Sequence, residues 1–388
     1  MPTPEPTPVP VQAPIVVVGA GLSGLVAAYL LEHLGLEVTL LEARERVGGR
    51  VHGLTTGVGA HRFDLGPAWV WPEVNPRLAD WIGALGLTLF EQHGRGAGLV
   101  EGPSQVVRRH ATGFAQQPPS MRVGGGASCV IDALRAQLRR TRVLLGTRAR
   151  GLEVSPGGTV AVEFERGGQV ETMVASSVIL ALPPRLMAST LRWSPALPVE
   201  MLQRWADTPT WMAGHAKLLA VYDKPFWRSA GLSGSAVSQA GPLAEVHDAS
   251  DAEGQHAALF GFVGLPASWR RRMGRQTLID AAVAQLARLF GAEALTPNAV
   301  HLQDWADEAE TATHADSQPG SGHPAPIPTA LPAPWLDRVH LAGSEFAPEF
   351  PGYLEGAVIS AERAVHALQA QRLERPAAAQ PSAFDCGG

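Results

Sequence analysis

Six consecutive residues, Gly19-Ala20-Gly21-Leu22-Ser23-Gly24, offer the first chemistry in the chain. They follow the β-branched run Ile15 to Val18 and open the apolar, helically spaced run Leu22 to Leu34, which Gly35 stops, so they form a strand-to-helix turn. At such a turn Gly19 permits the tight bend, Gly21 lets the backbone approach a pyrophosphate, and Gly24 lets helix and strand touch. The first helical amides and the positive end of the helix dipole then face the phosphate charge. Glu42 closes the next β run, Glu37 to Leu41, eighteen residues after Gly24. A carboxylate there accepts hydrogen bonds from adenosine ribose hydroxyls and repels a 2′-phosphate, which disfavours NADP. A plain glycine turn and a solvated strand-end charge are the alternative readings of these two features.

The continuation, Glu42-Ala43-Arg44-Glu45-Arg46-Val47-Gly48-Gly49-Arg50, separates FAD from NAD. Gly48 and Gly49 allow a close backbone approach, while Arg44 and Arg50 bring charge for phosphate oxygens. This stretch resembles the amino-terminal signature of the FAD-containing amine oxidases, a superfamily that also holds carotenoid desaturases and protoporphyrinogen oxidase. Phe63-Asp64-Leu65-Gly66-Pro67-Ala68-Trp69-Val70 is similar to the family segment that runs past the flavin, with Pro67 where members often carry glycine. Leu341-Ala342-Gly343-Ser344-Glu345 and Gly352-Tyr353-Leu354-Glu355-Gly356-Ala357 resemble its carboxy-terminal flavin motif. The second of these opens a helix whose amides can stabilise negative charge on a reduced flavin.

Lys217-Leu218-Leu219-Ala220-Val221-Tyr222-Asp223-Lys224-Pro225-Phe226-Trp227 narrows the resemblance to the flavin monoamine oxidases. In them a strand carries a lysine that holds a water at flavin N5. The resemblance covers most of residues 14 to 372 and implies Lys217 and Tyr353 as catalytic residues, Tyr353 as an aromatic wall for the substrate nitrogen. Gly19, Gly21, Gly24, Glu42, Arg44, Gly49, Arg50, Gly66, Ala149, Gly343, Glu345 and Leu354 are the implied FAD-binding set. An edge-strand lysine and a structural tyrosine are the alternatives for the catalytic pair. The implied reaction takes a hydride from an amine carbon to flavin N5, hydrolyses the imine and passes the electrons to O2, giving H2O2. A desaturase or dehydrogenase acting on a carbon-carbon bond, and a flavin-binding module without oxidase activity, are the competing readings. FAD is expected to be non-covalent, since no cysteine lies near Trp305 or the carboxy-terminal motif.

The elements that position these residues alternate strand and helix. Ile15 to Val18, Leu22 to Leu34 and Glu37 to Leu41 make a βαβ unit. Arg142 to Leu145, Ala149 to Val154, Val160 to Glu165 and Val170 to Val174 read as a small antiparallel meander, and Val178 to Leu182 as a buried strand. Lys217 to Tyr222 and Ala257 to Val263 read as strands of a different sheet and Gln276 to Phe290 as an amphipathic helix. Ser317 to Pro334 is a long loop that returns to a last strand, Val339 to Ala342, and a last helix, Gly352 to Gln371. The expected fold is α/β: a Rossmann-like FAD-binding domain of the glutathione-reductase type with an inserted α+β substrate domain on a mixed sheet. The FAD domain is assigned residues 14–90, 121–182 and 333–372 and the substrate domain 91–120 and 183–332, with Pro-rich or low-complexity tails at 1–13 and 373–388.

Composition limits the alternatives. A chain of 388 residues with 45% hydrophobic and 17% charged residues is an ordinary globular protein of about two domains. A net charge of −5 with scattered arginines gives no footprint for nucleic acid. Cys129 and Cys386 form no disulfide framework or zinc spacing, and no nucleophile triad or P-loop competes. The uncharged run Ile15 to Leu31 reads as a buried strand and helix rather than a membrane span, and without a basic leader the expected location is cytoplasmic. The expected partners are a small-molecule amine and O2. Two departures from the family concern substrate. About thirty residues separate Phe90 from Met121, where members insert a helical subdomain of roughly a hundred residues, a domain's length in itself. The roof of the cavity is therefore expected to be missing or supplied by a partner, for which a homo-oligomer would serve. Ala312 to Asp316 offers His314 where members have a second tyrosine wall, and Trp305 precedes it.

Overall fold

The computed structural model describes residues 13–55, 62–114, 116–318 and 322–374. Of the tails expected at 1–13 and 373–388, residues 1–12 and 375–388, with Cys386, lie outside the described residues, while 373–374 belong to the last helix rather than to a tail. Five parallel strands form the first sheet in the order Val339–Ala342, Ser177–Ala181, Ile15–Val18, Val38–Leu41, Arg142–Leu144. The three inner strands and the edge strand Val339–Ala342 are almost wholly apolar and buried, as a parallel sheet covered on both faces requires. Helix Leu22–His33 and the last helix, Leu354–Glu374, cover one face, where Leu25, Val26 and Leu31 meet Val358, Ala361 and Val365. The three-stranded meander Thr147–Val154, Val160–Arg166 and Gln169–Ala175 covers the other through Leu152, Val162 and Phe164.

Arg142–Leu144 corrects one expectation. It does not belong to the meander but pairs in parallel with Val38–Leu41 at the edge of the first sheet, and Arg192–Ser194 takes the fourth place beside the meander. Ile15–Val18 pairs only one side of Val38–Leu41, and Arg142–Leu144 satisfies the backbone groups on the other, which a bare edge would leave without partners.

Seven strands form the second sheet, in the order Ala299–Asp304, Ala216–Tyr222, Ala257–Val263, Leu243–Asp248, Leu232–Ser238, Ala97–Glu101, Val107–His110. All neighbours are antiparallel except Leu232–Ser238 and Ala97–Glu101, so the sheet is mixed. The stretch between Phe90 and Met121 thus contributes the last two strands at one side of this sheet, Val107–His110 forming its edge. Helix Arg275–Phe290 covers one face, placing Leu278, Ala282 and Leu286 against Leu218, Ala220 and Leu259. The opposite face carries Lys217, Leu219 and Val221 toward Phe63, Leu65 and Ala68.

Glu32, near the end of the first helix, ties that helix to the segment entering the edge strand Arg142–Leu144. It is 6% exposed, and its carboxylate accepts hydrogen bonds from the Arg139, Arg140 and Thr141 amides at 2.8, 3.0 and 2.9 Å and from Thr141 Oγ1 at 2.6 Å. Burial pushes this carboxyl up, and the four hydrogen bonds outweigh it, bringing it down from 4.5 to about 2. Because the folded value is depressed, the stabilisation is present above pH 4.5 and is lost as pH falls toward 2. Glu32→Gln is expected to cost about 2–3 kcal/mol at pH 7, with the deficit shrinking toward pH 3 in urea unfolding.

Candidate active site

The two sheets meet along one cleft. Of the fourteen residues expected to act or bind cofactor, all but Gly24 and Glu345 line it. Those two lie behind its wall. A Cβ on Gly24 would stand 1.8 Å from the Gly19 carbonyl oxygen, so glycine there is a condition of the helix touching the strand. A Cβ on Gly21 would meet nothing within 4 Å, because that backbone faces open cleft. The turn therefore offers bare backbone and a helix start to an elongated, phosphate-bearing ligand.

Glu42 is buried at the end of Val38–Leu41, accepting from the Ala20 amide at 2.8 Å and the Arg44 amide at 2.9 Å. Each oxygen has one such partner, which leaves a lone pair on each for hydroxyl donors in the cleft. Thr147, Arg148 and Ala149 form the adjoining wall. The fit to an adenosine diphosphate moiety rests on this open backbone at Gly21 together with the buried, partly satisfied Glu42.

The two arginines of the signature are already engaged. Arg44 donates to Glu308 at 3.1 Å and to Thr311 Oγ1 at 2.8 Å, while Arg50 spends both terminal nitrogens on Glu345, Ser344 and the Trp211 carbonyl. Glu345 is wholly buried, and although burial pushes its carboxyl up, Arg50 and Ser344 hold it below the usual carboxylate range. This ion pair joins the strand-turn motif near residue 343 to the loop carrying Trp211.

Lys217 sits on a strand flanked on both sides, by Ala257–Val263 and Ala299–Asp304, so it is not an edge lysine. It is 3% exposed, donates to the Gly66 carbonyl at 3.0 Å and stands 3.9 Å from the Phe260 ring centre. Burial lowers its ammonium from 10.5 to about 7, Asp64 opposing and Arg122 adding to the fall. Close to neutral pH the group can thus hold or give up a proton while presenting its remaining donors to the cleft.

Tyr353 lines the same cleft just before helix Leu354–Glu374. Its hydroxyl bonds His323 Nε2 at 3.0 Å, and the His323 ring stacks on Trp211 with ring centres 3.4 Å apart. Trp211 itself lines the cleft, 6.3 Å from Tyr353 between ring centres. Sequence reading did not single out Trp211 or His323, which lie more than a hundred residues apart with no shared motif. His314, by contrast, is exposed on the turn His314–Ser317 and bonds Gln318. Trp305 is buried and donates to the Leu65 carbonyl at 3.2 Å, which fixes the segment leading to Gly66.

Fold and site together define an FAD-dependent oxidoreductase. A family model for flavin containing amine oxidoreductase matches residues 109–369, and one for an NAD(P)-binding Rossmann-like domain matches residues 17–85. The chain belongs to the flavin-containing amine oxidoreductases. It is 26% identical to an L-amino acid dehydrogenase of Synechocystis sp., with 91% of this chain and 94% of that protein covered. It is 26% identical to the flavin-containing amine oxidase B of Homo sapiens over 91% of this chain and 85% of that one. The first alignment runs over 466 positions, more than the 388 residues of this chain, so that relative carries segments this chain lacks. A solved putrescine oxidase variant superposes with a TM-score of 0.75 at 22% identity, covering 93% of this chain and 99% of that one. Among the described residues no helix is long and apolar enough to cross a membrane, and no group of His, Cys, Asp and Glu could hold a metal ion.

Proposed function

We propose that the chain oxidises a small-molecule amine to an imine, using FAD held without a covalent bond and O2 as the final acceptor, with H2O2 as product. FAD, when bound, supplies the hydride acceptor. The observation that carries the reading is Lys217: a buried amine lining the same cleft as the neighbouring aromatic rings of Tyr353 and Trp211. Lys217 and Lys224 are the only lysines among 31 basic residues, and arginine, which keeps its proton, could not replace a group that must titrate near neutrality.

The residues divide the work. Gly19, Gly21, Glu42, Gly49, Ala149, Gly343 and Leu354 bind and orient the cofactor; Lys217 positions a water and steadies developing negative charge; Tyr353 and Trp211 confine the amine, which must lose its proton before oxidation. His323 accepts or donates at the Tyr353 hydroxyl and so fixes that ring. The domain division given above and a cytoplasmic location belong to the same reading, as does a partner or second copy roofing the cleft. The similarity to an L-amino acid dehydrogenase favours one variant of it, in which the substrate is an amino acid and the acceptor is not O2.

Anaerobic mixing with primary amines, polyamines and amino acids tests the proposal: one class should bleach the flavin, and admission of air should then yield peroxide. Bleaching without peroxide supports the dehydrogenase variant, and no bleaching by any class overturns both. Glu42→Ala is expected to weaken FAD binding by about 1.5–3 kcal/mol, the scale of hydrogen bonds to a charged group, in titrations of the apoprotein. Turnover at saturating FAD should change little.

A further inference from the structure

Close to Lys217 lies a second buried charge pair that the reaction above does not use. Asp64 and Arg122 are 3% and 2% exposed, with Asp64 Oδ2 3.6 Å from Arg122 Nη2. Asp64 Oδ1 accepts from the Ala127 amide at 2.7 Å and Arg122 Nη1 donates to the Ser250 carbonyl at 2.9 Å. Asp64 Oδ2 and Arg122 Nε have no hydrogen-bond partner among the described residues, so the pair is held in place without being saturated. Asp64 is two residues before Gly66, whose carbonyl accepts from Lys217. For structure alone, a buried ion pair gains little over apolar packing, and its retention beside a third buried charge calls for another reason.

We propose that Asp64 and Arg122 are positioning residues for Lys217, an ion pair that sets the charge on its amine and the carbonyl to which that amine is tethered. This rests on the reading of Lys217 given above. Burial pushes the Asp64 carboxyl up, but Arg122 does not release its proton, and a neutral Asp64 would leave that guanidinium buried and uncompensated; the pair is therefore ionised. Asp64 then favours the Lys217 ammonium and Arg122 disfavours it. The other groups around Lys217 are poorly placed to do this. Phe260, Phe262 and Gln303 are uncharged, and Asp304 on the neighbouring strand is bound by Arg270. His215, on the same strand segment, is lowered by burial, and His247, beyond Phe260, pairs with Glu245.

The test exploits the scarcity of lysine. In flavin-loaded protein labelled with [ε-13C]lysine, Lys224→Arg leaves Lys217 as the only labelled side chain, and its chemical shift against pH reads its protonation directly. A midpoint near 7 is expected. Asp64→Asn should move it down by about one unit or more and Arg122→Gln up by about one, the range for a charge placed nearby. Arg122→Lys, which keeps the charge but adds a second labelled amine, is read through the pH inflection of anaerobic flavin reduction and should leave it in place. The pH inflection near 7 in anaerobic flavin reduction should move in step and vanish in Lys217→Met. An inflection near 7 that survives in Lys217→Met refutes the reading of Lys217 itself. If Lys217→Met abolishes it while both charge-removing variants leave the midpoint unmoved, or move it the same way, the positioning role of the pair is overturned. Asp64→Asn is near-isosteric and decides alone should Arg122→Gln not fold: an unmoved or raised midpoint is then sufficient.

Discussion

Lys217→Met should slow flavin reduction by amine, reoxidation by O2, or both, by about a hundredfold, the usual loss when one preorganised electrostatic contact is removed from a site. Methionine keeps the length and apolar character of the lysine stem, and its neighbours, Leu219, Phe260 and Phe262, are apolar. What disappears is the Nζ atom that donates to Gly66 and its charge. The fold should therefore survive. It should even gain, because an ammonium lowered from 10.5 to about 7 by burial opposes folding when charged. That opposition is fully present below pH 7, where both folded and unfolded lysine are protonated, and fades as pH rises toward 10.5. The thermal midpoint of Lys217→Met, relative to wild type, should accordingly be higher at pH 6 than at pH 10. Stopped-flow traces of the two half-reactions measure the chemical effect. Wild-type rates in both would leave Lys217 a structural residue and remove the chief support for amine oxidation.

How far the sequence allowed this site to be read depended on whether its parts are local. The glycine turn, Glu42 and the strand carrying Lys217 were legible because each signal lies in one short segment: a β-branched run, a glycine spacing, an apolar alternation interrupted by one amine. Helix bounds also came close, the last helix beginning at Leu354 where Gly352 was expected, since the residues before it turn at Gly352 with φ of 87°. Two strands between Phe90 and Met121 were not legible. Ala97–Glu101 carries alanine, glycine and glutamate, whose β preference is low, Val107–His110 has one apolar residue and no alternation, and both owe their form to pairing with Leu232–Ser238 and with each other. Arg142–Leu144 was assigned to the wrong sheet because three residues hold no information about their partner. Trp211 with His323, and Asp64 with Arg122, are meetings of distant segments and have no local signature.

Glu345→Ala should be the most damaging single change at the cofactor wall. The carboxylate is wholly buried and receives Arg50 at 2.6 and 3.0 Å, Ser344 Oγ at 2.8 Å and the Trp211 amide at 3.3 Å. Removing it leaves the Arg50 guanidinium without its counter-charge in a position only 24% exposed, and the Trp211 amide without an acceptor. Breaking a buried pair from one side costs about 3–5 kcal/mol, well above the worth of an exposed one. The loss is not confined to stability. Arg50 also holds the Trp211 carbonyl, so the loop that sets Trp211 opposite Tyr353 loses its anchor, and Gly343 and Gly49 on the cofactor wall lose their common tie. The variant should therefore purify with little flavin and unfold at lower urea, and added FAD should restore only part of the difference. Glu345→Gln separates the two causes: it keeps the shape and one acceptor oxygen, so a smaller loss than with alanine assigns the remainder to charge. A flavin content and unfolding midpoint equal to wild type in Glu345→Ala would mean that Arg50 is stabilised by another group, and that the pair does not hold the two walls together.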